Sequence, residues 1–337
     1  MFLQNLKLKV LSLSVIALLA AGTGTLVWRA TLATSKKTQA AKATSGEGQV
    51  ALAKRERPDK IYIAAQRAQR TGPGRSREII YRLMAVDSMT GARTNLLDHC
   101  GMRPRVSPDG KLLAFEREDA LWILGLNGNA EPRKLVELGG SSLGSPPIWS
   151  PDGKQIVISL AHAQAARQVN IDGTGSVDSR VPPGDLVLDW SSDGRWLLTA
   201  SHRNAKNGWV LYIMRPDGTE QRRITSEGNP FYARFSPDGR RVLYTDNGLG
   251  QQSGIWVVSA DGKNARRVFP EPNPPFETNT SACWSPDGKR IAIILAGLQR
   301  RGPPPFPAQI VVMDLDGGHR SEIKIPGAGM SDMPDWR

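Results

Sequence analysis

The pentapeptide Trp284-Ser285-Pro286-Asp287-Gly288 decides the fold, because near-copies of it recur along the chain. The other copies occupy residues 106–110, 149–153, 190–194 and 235–239. Successive copies lie 41 to 49 residues apart. This spacing matches the length of one four-stranded blade of a β-propeller, which is roughly 40 to 50 residues.

Each copy has the sequence of a tight turn between two antiparallel strands. Proline fixes φ at the second turn position, serine and aspartate hydrogen-bond the local backbone, and glycine adopts the left-handed conformation without a Cβ clash. A short apolar run rich in β-forming residues follows each turn, at residues 111–117, 154–161, 195–201, 240–246 and 289–296. A second run, an Asx-Gly turn such as Asp217-Gly218 and a third run complete four predicted strands, here called a to d.

These motifs resemble those of the TolB-like, WD-repeat-like β-propellers of the PD40 type. Blades of that family carry an aromatic-Ser-Pro-Asp-Gly-Lys/Arg signature and a later Asp-x-Asp-Gly turn, which stands here as Asp314-Leu315-Asp316-Gly317. The resemblance covers residues 60–337, and it implies partner binding at the cell envelope. The third repeat departs from the pattern, since residues 167–184 form only a ragged second half.

The first blade predicts how the ring closes. Residues 60–64, 79–86 and 93–97 read as strands b, c and d with no strand a before them. Residues 332–337 repeat the approach to Trp284, so the C-terminal strand should supply the missing strand a and remove both sheet edges. The predicted fold is therefore an all-β, six-bladed β-propeller over residues 58–337, and deletion of residues 330–337 should open it.

The N-terminal segment has the composition of a targeting sequence. Residues 1–28 combine a cationic start, carrying Lys7 and Lys9, with an uncharged apolar stretch at residues 10–27. We expect a signal or transmembrane anchor here, and a cleaved signal peptide is the alternative, which would leave a secreted or periplasmic protein. Residues 29–57 are a flexible basic linker, because they contain almost no large apolar side chains. The propeller should lie outside the cytoplasm, on the periplasmic side, although basic residues just after the apolar stretch oppose the positive-inside rule.

The positive charge of the chain is concentrated in this N-terminal part. The net charge is +12, and residues 1–60 hold ten basic residues against three acidic ones. A tethered, exported segment of this kind contacts lipid head groups and solvent, so we expect a membrane partner and no nucleic-acid partner.

One apolar side chain per blade stands before the marker serine, or at the equivalent position of the C-terminal strand: Val106, Trp149, Trp190, Phe235, Trp284 and Trp336. A stripe at the blade period predicts packing between neighbouring sheets rather than a ligand platform. The two cysteines, Cys100 and Cys283, are too few for a disulfide framework, and inert thiols are the simpler interpretation.

Several motifs of catalytic and metal sites are missing from the sequence. There is no His-Glu-x-x-His and no Cys-x-x-Cys, and the Asp-Gly turns lack the extra acidic ligands of a calcium loop. We therefore predict no catalytic residues, no metal and no cofactor. A Ser/His/Asp site assembled from separate loops remains the alternative, because triads are defined by geometry.

Two sets of residues are candidate binding sites. The first precedes the stripe by one position and is expected to face the propeller axis: Arg105, Ile148, Asp189, Arg234, Cys283 and Asp335. The two arginines and two aspartates either pair with one another or line a port for a polar ligand or peptide.

The second set lies on the predicted loops between strands b and c of two neighbouring blades: Arg67, Arg70, Arg75, Arg77, Arg300 and Arg301. Such loops emerge on one face of a propeller, and function concentrates on long loops. We predict a basic face that docks an acidic protein or an anionic polysaccharide, and a solvated charge cluster is the alternative.

The sequence thus predicts a non-enzymatic, membrane-tethered propeller that acts as a protein-binding scaffold at the cell envelope. Two alternatives stay open. One is a propeller enzyme acting on glycans, in the manner of a lyase. The other is a stand-alone relative of the propellers that gate peptidases.

Overall fold

The computed structural model describes residues 59–71, 76–128, 130–161, 166–205, 208–226, 228–246, 254–269, 281–296, 308–325 and 334–337. Chain contacts divide the protein into Met1–Lys54 and Arg55–Arg337, and every described residue belongs to the second unit. The predicted anchor at residues 1–28 and the linker at residues 29–57 lie outside the described residues. Within those residues there are strands and turns but no helix, and hence no helix able to cross a membrane.

The described strands form six four-stranded antiparallel sheets, one per blade. Blade 1 contains β1 (Lys60–Thr71), β2 (Ser76–Asp87), β3 (Arg93–Cys100) and, as its strand a, β24 (Asp335–Trp336). Blade 2 contains β4 (Met102–Val106), β5 (Leu112–Arg117), β6 (Ala120–Gly125) and β7 (Arg133–Glu137). Blade 3 contains β8 (Ile148–Trp149), β9 (Gln155–Ser159), β10 (Ala166–Asn170) and β11 (Ser176–Asp178).

The second half of the ring repeats the same order. Blade 4 contains β12 (Leu186–Trp190), β13 (Leu197–Ser201), β14 (Val210–Met214) and β15 (Arg222–Arg223). Blade 5 contains β16 (Pro230–Phe235), β17 (Arg241–Asp246), β18 (Gly254–Ser259) and β19 (Arg266–Phe269). Blade 6 contains β20 (Ser281–Trp284), β21 (Arg290–Ala296), β22 (Ala308–Asp314) and β23 (Ser321–Ile325). The predicted all-β, six-bladed propeller is confirmed, and the ragged half of blade 3 proves to hold the two short strands β10 and β11.

The C-terminal strand closes the ring as the sequence predicts. In β24, Trp336 pairs with Ile61 and Asp335 pairs with Tyr62. The amides of Lys60 and Arg337 each donate to the other residue's carbonyl, at 2.8 and 2.9 Å. Blade 1 is therefore built from both ends of the described chain.

The repeated turn has one geometry throughout, which explains why its sequence repeats. In the copy at residues 106–110, the Ser107 hydroxyl donates to the Asp109 carboxylate at 2.6 Å and accepts from the Leu112 amide at 2.9 Å. The Gly110 amide donates to the Ser107 carbonyl at 2.9 Å, and Gly110 has φ of 71°, which favours glycine. The serine-to-aspartate bond recurs in the other four copies at 2.5 to 2.7 Å.

The stripe of large side chains packs between blades, which confirms its structural role. Trp149 lies in a cluster with Leu121 of blade 2, and Trp284 lies in a cluster with Leu243 of blade 5. Trp336 packs with Ala292 of blade 6. Each aromatic side chain thus fills the space against the preceding blade, where burial removes it from water.

Candidate functional site: an axial cavity

A cavity of about 690 Å³ opens at the centre of the ring. Its wall includes all six positions that precede the stripe: Arg105, Ile148, Asp189, Arg234, Cys283 and Asp335. Prolines of the repeated turns also line it, among them Pro108, Pro151 and Pro237, so the cavity lies toward the turn face of the propeller. Its volume falls within the ~300–1,000 Å³ range that is common for ligand sites.

The three strands that carry Arg105, Asp189 and Arg234 are irregular just before these residues. Pairing shifts between Met102 and Arg105 in β4, between Val187 and Asp189 in β12, and between Phe231 and Arg234 in β16. A β-bulge redirects the side chains that follow it and is over-represented beside active sites. The strands that carry Ile148 and Cys283 pair without a shift.

Two of these bulges hold a bulky residue in the left-handed region. Arg103 has φ of 61° and Tyr232 has φ of 52°. Such a conformation costs ~1–3 kcal/mol and persists only where the surroundings enforce it. The strain therefore coincides with the blades that place an arginine at the axis.

An ion pair runs across the cavity between blades 5 and 1. Arg234 donates from one terminal nitrogen to Asp335 Oδ1 at 2.8 Å and from the other to the Pro334 carbonyl at 2.9 Å. The second oxygen of Asp335 accepts the Val106 amide of blade 2 at 2.8 Å. Arg234 and Asp335 are 7% and 2% exposed, so this network is buried. It ties the closing strand β24 to two other blades.

Asp189 repeats part of this arrangement in blade 4. Its Oδ2 accepts the Phe235 amide of the next blade at 2.8 Å, as Asp335 does for Val106. Burial raises the pKa of Asp189 to about 7; the nearby charge of Asp335 adds to the rise, while backbone hydrogen bonds and Arg337 oppose it. Asp189 therefore changes its charge near neutral pH.

The arginine positions also orient the tryptophans of the following blades. The Trp149 indole donates to the Arg105 carbonyl at 3.0 Å, and the Trp284 indole donates to the Arg234 carbonyl at 3.2 Å. The Arg105 side chain is 3% exposed and belongs to the cavity wall. The carbonyl of each arginine thus holds a tryptophan of the following blade, whereas its side chain lines the cavity.

Among the axial charges, Arg234 and Asp335 form an ion pair with each other at 2.8 Å. The structure also places Lys60, Tyr62 and Arg337 in the wall, which sequence reasoning missed. All three lie on or beside the closing pair β24 and β1. Side chains alternate along β1, so the predicted pairing with the C-terminal strand would have identified Tyr62 as a residue of the cavity wall. Arg337 follows the last position of the repeat.

Cys283 in the cavity wall is not an activated nucleophile. Burial raises the pKa of the Cys283 thiol to about 12, so the thiol stays protonated at neutral pH. Cys100 is a second free, buried thiol in blade 1, and burial likewise raises its pKa to about 12. In the part of the chain that the structure describes, no three His, Cys, Asp or Glu side chains are grouped as metal ligands.

The second predicted site, the basic face, is described only in part. Arg67 and Arg70 lie in β1 and Arg77 lies in β2, whereas Arg75, Arg300 and Arg301 lie outside the described residues. The sequence places these blade 1 arginines on an irregular loop, but β1 and β2 remain paired as far as Thr71 and Ser76. The two strands have 12 residues each, against six and six for β5 and β6 of blade 2, and Arg70 stands directly opposite Arg77.

Comparisons with known proteins fit this architecture. No family model matches the chain. It is 27% identical over 249 residues to the uncharacterized protein Atu1656 of Agrobacterium fabrum, covering 69% of this chain and 80% of that protein. It is 31% identical over 153 residues to the uncharacterized peptidase YuxL of Bacillus subtilis, covering 43% of this chain and 21% of the peptidase. It is 34% identical over 83 residues to the Tol-Pal system protein TolB of Anaeromyxobacter dehalogenans, covering 25% of this chain and 18% of TolB.

Solved structures show the same fold. TolB from Acinetobacter baumannii superposes with a TM-score of 0.65 at 17% identity, over 82% of this chain and 66% of TolB. The putative TolB from Agrobacterium tumefaciens superposes with a TM-score of 0.58 at 22% identity, over 82% of this chain and 92% of that one. The matches to the peptidase and to the curated TolB span about a fifth of those proteins. The chain is a six-bladed β-propeller whose repeated turns and fold resemble those of the TolB-like propellers.

Proposed function

We propose that this protein is a non-enzymatic binding scaffold outside the cytoplasm, and that its axial cavity receives a segment of a partner protein. The observation that carries the proposal is the cavity of about 690 Å³ lined by all six axial positions. Charged groups and apolar rings stand together in its wall, including Arg105, Asp189, Trp190 and Trp284. A mixed wall of this kind suits a peptide, which offers both apolar and polar contacts.

The comparisons support this proposal at the level of the fold. The Tol-Pal system protein TolB of Anaeromyxobacter dehalogenans matches part of this chain, and TolB from Acinetobacter baumannii has this propeller fold. Burial raises the pKa of the Cys283 thiol in the cavity wall to about 12, so this residue is not a candidate nucleophile.

The basic face is a second candidate, and the β1–β2 hairpin favours it. Like charges directly opposite in a sheet destabilise it, and Arg70 stands opposite Arg77. An acidic protein or an anionic polysaccharide would offset that repulsion. The sequence predicts Arg67, Arg75, Arg300 and Arg301 as further members of this basic face.

One cross-linking experiment separates the two candidates. The photoreactive residue p-benzoylphenylalanine is placed in the full-length chain at Ser192 beside the cavity, at Arg70 on the hairpin, or at Val177 on the outer strand of blade 3. Ser192 lines the cavity, and Val177 is 62% exposed and serves as the control. A partner from envelope extract that cross-links from position 192 and not from 177 supports the cavity. Cross-linking from position 70 alone moves the site to the hairpin, and equal labelling from all three positions contradicts both.

The extracytoplasmic, membrane-tethered location is part of the same proposal. It is supported by the cationic start and apolar stretch of residues 1–28. Protease added to intact spheroplasts should digest the propeller, and carbonate washing should leave it in the membrane fraction. Release by carbonate would indicate a cleaved signal peptide instead, and protection from protease would contradict the location.

A further inference from the structure

The inner wall of the axial cavity carries more basic than acidic side chains. Arg105, Arg234 and Arg337 line it together with Asp189 and Asp335. Nearer the rim, Lys111 lies 3.3 Å from Asp109, and these two charges offset each other. The lining side chain Lys60 stands opposite Asp87 in the β1–β2 register, and its charge acts on that carboxylate. The positive excess therefore comes from the arginines.

One aspartate serves two of these arginines. Asp335 lies 2.8 Å from Arg234 and 3.7 Å from Arg337. The Nε of Arg234 is buried and makes no hydrogen bond to any described residue. Burying a cation costs free energy unless charge and hydrogen bonds compensate it. An anion inside the cavity would supply compensation that the described wall only partly provides.

The other aspartate reduces the positive excess only when it is ionised. Asp189 is held by the Phe235 amide, and the charges that act on it are those of Arg337 and Asp335. Because burial raises the pKa of Asp189 to about 7, its negative charge fades as the pH falls below neutral. The wall then becomes more positive.

We propose that the axial cavity binds a peptide segment bearing carboxylates, and that Asp189 makes this binding tighter at lower pH. The inference rests on the proposed function, in which the cavity receives a protein segment. The arginines provide the counter-charge, and the prolines and aromatic rings of the wall contact the apolar parts of the chain. A small inorganic anion would leave most of a cavity of about 690 Å³ unfilled.

The expected pH dependence follows from the ionisation states of the two sides. Glutamate side chains of a free peptide stay ionised above about pH 5, because their pKa is about 4.3. Between pH 6 and pH 8 the main change is therefore at Asp189, which is mostly neutral at the lower pH and mostly charged at the higher. Repulsion between Asp189 and a ligand carboxylate grows over this interval.

Isothermal titration calorimetry on the full-length protein tests the proposal. The probes are acetylated tetraglutamate, acetylated tetraglutamine and inorganic phosphate. We expect tetraglutamate to bind about tenfold more tightly at pH 6 than at pH 8, which is the effect of about 1.4 kcal/mol of repulsion. Tetraglutamine should bind at least about tenfold more weakly than tetraglutamate at pH 6, and phosphate should bind more weakly still.

Two variants assign the effect to the cavity. Asp189→Asn should bind tetraglutamate at pH 8 as tightly as the unaltered protein does at pH 6. Arg337→Gln should weaken binding at both pH values, and it should fold because the Arg337 side chain is 45% exposed. Arg93→Gln is the matched control, since Arg93 is exposed on the outer strand β3, and it should leave binding unchanged.

The outcomes separate this inference from the proposed function. If tetraglutamine and tetraglutamate bind equally and Asp189→Asn has no effect, the proposal of an acidic ligand is wrong. A cross-link from position 192 would then still support the cavity as the binding site. Binding of phosphate as tight as that of tetraglutamate overturns the peptide. If neither peptide binds and no partner cross-links from position 192, the results contradict the proposed function itself.

Discussion

The repeated turns and the axial positions are adjacent in sequence, yet they behave in opposite ways. In all five turns a serine hydroxyl donates to an aspartate two residues later, over 2.5 to 2.7 Å. Two residues before each serine, the side chain differs from blade to blade, from Ile148 to Asp189 to Cys283. The comparison teaches that identical residues build the ring, whereas varied residues at one geometric position define what the ring encloses.

The two regions also differ in how they hold a carboxylate. In the turns, hydrogen bonds from serine and backbone lower the pKa of Asp109 and Asp152. At the axis, burial raises the pKa of Asp189 to about 7. The turn carboxylates thus stabilise the fold at neutral pH and lose that contribution in acid. Asp189 stabilises the fold only when it is protonated.

Removal of residues 334–337 should have the largest effect on stability. It deletes the closing strand β24, which carries both the stripe residue Trp336 and the axial residue Asp335. Trp336 is 2% exposed, and loss of a large buried aromatic side chain alone costs ~3–5 kcal/mol. The pairing with β1 and the bonds of Asp335 are lost as well. We expect urea denaturation, followed by tryptophan fluorescence, to show a large drop in the midpoint. Trp196→Ala, in a half-buried tryptophan outside the stripe, should cost less, and a truncated protein that unfolds like the intact one contradicts the closure.

Asp189→Asn should change the pH dependence of stability. The folded-state pKa of about 7 exceeds the ordinary value of 3.8, so stability should fall as the pH rises from about 4 to about 7 and then level off. Without the titrating group, the variant should be more stable than the unaltered protein at pH 8, by no more than ~4 kcal/mol for a shift of about three units. Thermal melts from pH 4 to pH 8 measure this difference.

The control for that prediction comes from the turns and has the opposite sign. Asp109→Asn removes a carboxylate whose pKa is lowered, so this variant should be less stable than the unaltered protein at neutral pH, and the difference should shrink in acid. If both variants shifted stability in the same direction, the contrast between turns and axis would be wrong.

Ser285→Ala should have a smaller effect within the turns. The buried Ser285 hydroxyl donates to Asp287 and accepts the Arg290 amide at 2.9 Å. Leaving these groups unpaired costs ~1–3 kcal/mol. Ser192→Ala is the matched control, because its exposed hydroxyl contacts only the Pro237 carbonyl among the hydrogen bonds observed, and it should change stability by less than ~0.5 kcal/mol. If the two variants had the same urea midpoint, the hydrogen bonds of the repeated serine would not be what stabilises the turn.

The sequence predicts those features that repeat. Number of blades, turn positions, the packing stripe and the six axial positions all follow from the spacing of one motif. Closure by β24 follows from the incomplete first blade. These features are predictable because a fixed side-chain period along each strand places equivalent residues on the same side of every sheet.

Features that break the repeat were not predictable. The bulges before Arg105, Asp189 and Arg234 depend on how neighbouring blades fit, and no turn residue marks them. The 12-residue strands β1 and β2 extend through a stretch rich in arginine and glutamine, which composition alone assigns to a loop. The charge state of Asp189 depends on burial at the centre of the ring, which emerges only once all six blades are in place.

The pairing of β24 with β1 also determines when the ring can close during synthesis. β1 is made early, and its partner arrives only near the other end of the described chain. At ~5–20 residues per second of synthesis, β1 waits for on the order of tens of seconds with one edge unpaired. Such an edge is a template for mispairing. Because the ring closes last, a holding chaperone has time to bind the chain before β24 pairs with β1.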